Sequence, residues 1–160
     1  MSKNYLFLHY QKMLKMKFKF LVAFIFFGFT GNAQNWKSTF EDAKAQATAE
    51  NKNILLVFSG SDWCAPCIKL DKTIWQSEEF KQEAAIKWVL YKADFPKKKA
   101  NVLPVKLAQS NKKLADEYNN AGNFPLVLLL DASGKVLGLT GYKNVLPQEY
   151  IQIIQSFEKK

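Results

Sequence analysis

Apolar and polar positions along this chain fall into blocks with two different periods. Trp36, Phe40, Ala43 and Ala47 recur at helical spacing, which predicts a helix over 35–51, broken at Lys52-Asn53. ILLVF, 54–58, is a short run of branched apolar residues, the mark of a buried strand. A Ser59-Gly60-Ser61-Asp62 turn follows. Ile68, Leu70, Ile74 and Trp75 then give a helical face, and Ser77-Glu78-Glu79 starts a fresh helix carrying Phe80, Ala84 and Ile86. WVLYKA, 88–93, reads as a second strand, and DFPKKKANVLPV, 94–105, as a loop. A helix over 106–119 turns Leu107, Leu114 and Tyr118 inward. Phe124-Pro125 introduces the strongly apolar LVLLLD. Asp131-Ala132-Ser133-Gly134 then turns the chain into KVLGLTGY, 135–142, as a hairpin. Pro147 opens the last helix, with Tyr150, Ile151, Ile154 and Phe157 on its apolar side. Strands and helices in this order pack as a mixed central β-sheet flanked by helices on both faces, an α/β fold.

The first 33 residues do not share that pattern. KMLKMKFK, 12–19, carries four lysines and no acid, FLVAFIFFGF, 20–29, is apolar, and Thr30-Gly31-Asn32-Ala33 supplies small residues. This is the order of a secretory signal peptide. Cleavage is expected after Ala33, leaving 34–160 as one domain in the periplasm or outside the cell. The apolar run is about half of what a membrane-spanning helix needs, and a retained anchor is the alternative. Residue 34 is glutamine, so lipoprotein attachment there is not supported. MSKNYLFLHYQK is more than a leader requires, which points to Met13 or Met16 as the true start.

Composition narrows the chemistry. With 160 residues and 48% hydrophobic, the chain can bury a real core. The net charge of +9 falls to +4 without residues 1–33, as 18 lysines against 14 acids, and there is no arginine. That is not a nucleic-acid footprint. His9, the only histidine, lies in or before the leader. A mature chain without histidine excludes Ser-His-Asp and Cys-His nucleophile systems. Two cysteines alone cannot complete a structural zinc site, and neither metal nor cofactor is expected.

Both cysteines sit in SDWCAPCIKL, 61–70, where the strand and turn give way to a helix. A helix starting at Cys64 would favour negative charge there and activate the thiol. Cys67, one turn on, is close enough to close a disulfide and to resolve a mixed disulfide formed by Cys64. That chemistry needs one exposed and one resolving thiol. A static staple is the alternative, although so small a loop constrains the unfolded chain very little. A two-thiolate Cu(I) module is another.

WCAPC between strand and helix, with a later proline before an apolar hairpin, resembles the thioredoxin family over about 36–157. VFSGSDWCAPC, KADFPKKK and GNFPLVLLLDASGKVLGLTGY are especially similar to exported bacterial thiol:disulfide interchange proteins. The resemblance implies a thioredoxin fold and a redox-active disulfide, with Cys64 as nucleophile and Cys67 as resolving thiol. Trp63 would flank the site. Pro125 would be a cis-proline facing the cysteines, with Phe124 offering backbone groups to a substrate strand. The implied activity is reduction of protein disulfides by a monomer with a membrane electron donor; a disulfide oxidase or isomerase is the alternative direction. Two departures stand out. Phe58 occupies the position of the family's buried aspartate, so Cys67 needs another proton acceptor, with Asp62 or a lysine as candidates. Asp62 serves equally well as a turn or cap residue. Leu126 follows the proline where threonine is usual.

Overall fold

The computed structural model describes residues 36–159. The expected leader, its start and its cleavage point lie outside them. Five strands form one mixed sheet in the order β1-β3-β2-β4-β5. At its centre β2 (Asn53–Ser59) runs parallel to β3 (Trp88–Asp94) and antiparallel to β4 (Leu126–Leu130). The expected hairpin is present: β4 pairs antiparallel with β5 (Val136–Thr140).

The start of the domain corrects the predicted helix. Trp36–Lys37 is strand β1, parallel to β3 with Trp36 opposite Leu90. Thr39 then caps α1 (Phe40–Glu50), its side chain accepting from the Asp42 N–H at 3.0 Å. Two strand residues carry no period of their own; their pairing with β3 decides their conformation.

Side chains alternate along the buried strands and build two cores. Ile54, Leu56 and Phe58 face Phe40 and Ala43 of α1 and Leu114 of α4 (Val105–Tyr118). Leu55 and Val57 face Leu70 of α2 (Ala65–Leu70), Phe80 of α3 (Glu78–Lys87) and Ile154 of α5 (Pro147–Ser156). Between α2 and α3 the helix widens into a π-turn, Asp71–Trp75, which lets the adjacent Ile74 and Trp75 both be buried. Trp75 packs against Phe80 at 4.5 Å and Tyr150 at 5.5 Å between ring centroids.

Two apolar helix residues, Ile86 and the expected inward Leu107, are less enclosed than the core. Ile86 is 66% exposed, near the end of α3 and two residues beyond the last buried position, Ala84. On α4 the half-buried Leu107 gives way to Asn111, which is fully buried because it accepts from the Tyr91 hydroxyl and donates to the Asp94 carbonyl. Among the described residues no helix is long and apolar enough to cross a membrane.

Candidate active site

The site grows from the end of β2. The Gly60 carbonyl accepts from the Cys64 N–H at 2.9 Å and closes the turn. A side chain at residue 60 would collide with the Trp63 indole, so glycine is required by close approach. Cys64 is the N-cap of α2, and its sulfur accepts from the Cys67 N–H at 3.3 Å. Pro66 lies in the first turn, where no backbone hydrogen bond is lost.

Cys64 and Cys67 are joined as a disulfide. Both are nearly buried, at 5% and 3% exposure, so the expected contrast between an exposed and a covered thiol is absent from this oxidised form. The reason is local: as the cap, the Cys64 side chain folds back over the first turn of α2.

Trp63 stands beside the pair. Its indole N–H donates to the Phe95 carbonyl at 2.7 Å, and the Lys97 ammonium lies 3.8 Å from the ring centroid. Its ring meets Phe124 edge-on at 5.4 Å, and the Phe124–Pro125 peptide is cis. Pro125 and Pro66 line one groove of about 660 Å³ together with Tyr142, Lys143 and Phe157. The fold thus gathers Trp63, Phe124, Pro125 and the cysteine loop in one neighbourhood.

Asp62, one of the candidate acceptors, is engaged with the loop after β3. Its carboxylate accepts from the Lys97 and Lys98 N–H groups and from the Asn101 amide, each at 2.9 Å. The Lys97 N–H above all holds this carboxyl below its ordinary range. Asp62 therefore fastens the 95–101 loop beside Trp63. Phe58 is fully buried in the core facing α1 and α4 and offers no acid. Leu126 is buried and pairs with Phe58 across the sheet.

Sequence reasoning missed the other side of Cys67. There Cys67 lines a cleft of about 120 Å³ with Ser59, Ser61, Asp71, Lys72 and Lys92. The Lys92 ammonium lies 3.6 Å from Asp71 Oδ1 and over the Trp36 ring. The signal for Asp71 was its spacing, one helical turn beyond Cys67. Lys92 comes from β3, and no local pattern links it to the thiols.

A strand-turn-helix with a CxxC pair at the helix start, beside a cis-proline loop, defines a class. The thioredoxin-like family model matches residues 35–132. The chain belongs to this family, has the thioredoxin fold, and is by class a thiol–disulfide oxidoreductase with a CxxC pair. It is similar to the disulfide bond reductase DsbH of Chlamydia pneumoniae, with 36% identity over 121 residues, 76% of this chain and 70% of that one. The thioredoxin-related protein DsbJ of the same organism is 27% identical over 95 residues, 59% of this chain but 26% of DsbJ. A solved structure of a DsbH oxidoreductase superposes with a TM-score of 0.73 at 34% identity, covering 78% of this chain and 84% of that one.

Proposed function

We propose that this protein is exported and reduces disulfides of other proteins. Cys64 attacks the substrate disulfide, and Cys67 resolves the mixed disulfide. The observation that carries this reading is the cap: the sulfur of Cys64 accepts a backbone N–H at the start of α2, where negative charge is favoured. Phe124 and Pro125 line the groove that receives the substrate strand, with Trp63 packed on Phe124, and the strand's backbone pairs with the chain beside Pro125. The reducing direction is supported by the similarity to a protein named as a disulfide bond reductase. Export is supported by the basic, apolar and small-residue order of residues 12–33. Each turnover oxidises the pair, so a membrane donor returns the electrons, and the protein works as a monomer.

The reduction potential of the Cys64–Cys67 couple, measured by equilibration with thiol buffers, tests the direction. Reference proteins of this chemistry span about −270 to about −120 mV, and a value near the low end is expected. A value near the high end would make the protein an oxidant. Cys64→Ser is expected to abolish reduction of a protein disulfide, and Cys67→Ser to accumulate a mixed disulfide. Full activity of Cys64→Ser would overturn the assignment of the nucleophile.

A further inference from the structure

Resting on that reading, the cleft beside Cys67 deepens it. A buried thiol keeps its proton more firmly than a free one, whose pKa is about 8.5. Unlike Cys64, Cys67 does not cap the helix, so resolution needs a proton acceptor close to it. Three carboxylates belong to the segments around the cysteine turn. Asp62 is committed to three donors of the 95–101 loop. Asp94 accepts from the Ser61 N–H at 2.9 Å and from the Ser61 hydroxyl. Asp71 alone lines the cleft together with Cys67. Its N–H bonds the Cys67 carbonyl, which sets the two residues one turn apart. Its carboxylate is loosely held, by Lys92 at 3.6 Å and by the Gln76 amide at 3.4 Å.

We propose that Asp71 is the proton acceptor for Cys67, through water in this cleft, with Lys92 positioning the carboxylate. A cleft of about 120 Å³ lined by hydroxyls and charges has room and partners for bridging water. In the mixed disulfide, Cys67 gives its proton through water to the Asp71 carboxylate. The Cys67 thiolate attacks the Cys64 sulfur, the Cys64–Cys67 bond forms, and the bond from Cys64 to the substrate breaks. The substrate leaves as a thiolate and takes up a proton. Two electrons have passed from the cysteine pair to the substrate disulfide. The charged groups facing Cys67 are Asp71 and Lys72 from the helix, Lys92 from β3 and, behind Ser61, Asp94. Lys69 is turned over the Tyr142 ring, and β4 is apolar throughout.

The test uses a symmetric aromatic disulfide that releases one coloured thiolate when Cys64 attacks and a second when Cys67 resolves. With Asp71→Asn the first release is expected at the wild-type rate. The second should be slowed about tenfold or more near neutral pH, and recover as the pH rises above about 9 and the thiol ionises unaided. Asp71→Glu should restore much of the second step, and Lys92→Gln should slow it less than Asp71→Asn. An unchanged second release in Asp71→Asn overturns the proposal, and so does equal slowing of both releases. Absence of any release from the wild type would instead overturn the proposed function.

Discussion

At the scale of single residues, Asp62 links the redox turn to the loop that frames it. Three donors hold its carboxylate, and their hydrogen bonds favour the charged form. A carboxyl whose folded value lies below its unfolded one stabilises the fold above the ordinary range and loses that contribution as the pH falls through the lowered value. Asp62→Asn keeps the shape but removes the charge and one acceptor. Hydrogen exchange is expected to speed up at the Lys97 and Lys98 amides, with little change in β2; unchanged exchange there would refute the clamp. Residue identity showed an acid near a thiol, and nothing in it told a clamp from a base. Asn111 is similar: a polar residue on a helix reads as surface, yet it ties Tyr91 to the end of β3. Burial then pushes the Tyr91 hydroxyl up to about 12.

At the scale of elements, β2, β4 and most helices were legible because continuous branched runs and helical spacing need no partner to be recognised. β1 was not, since two residues become a strand only once β3 is beside them. Nor was the π-turn after α2, because a widened turn leaves the same apolar residues in the sequence as a regular helix. That turn seats Trp75 between Phe80 and Tyr150. Trp75→Ala removes a large, fully enclosed side chain, and a loss of about 3–5 kcal/mol in denaturant unfolding is expected. A loss below about 1 kcal/mol would mean that this junction repacks freely.

For the whole molecule, the resemblance carried by WCAPC and the proline before β4 linked segments that lie far apart in the sequence. Phe124 against Trp63, and Pro125 sharing a groove with Pro66, are contacts between the two halves of the chain. The Asp71–Lys92 cleft lay outside that resemblance, because it depends on how β3 sits beside β2. Redox state and folding are linked at this scale. A strong oxidant owes its potential to a stabilised reduced form, and a reductant to the opposite balance. The oxidised protein is therefore expected to melt above the reduced one. Calorimetry with and without a dithiol reductant would measure this, and the reverse order would contradict the reducing direction.

With Cys64 as the proposed nucleophile, the hydrogen bond from the Cys67 N–H to its sulfur would act on departure as well as on attack. A sulfur on which charge is favoured is a ready nucleophile and, by the same energy, easily displaced. In the proposed mixed disulfide, Cys64 is expelled only when the substrate's other thiol attacks its own bonded sulfur and reverses the first step; when Cys67 attacks, the substrate sulfur leaves. A Cys64 that departs easily therefore favours this return, and net transfer of electrons is expected to depend on Cys67 attacking before the substrate's own thiol does.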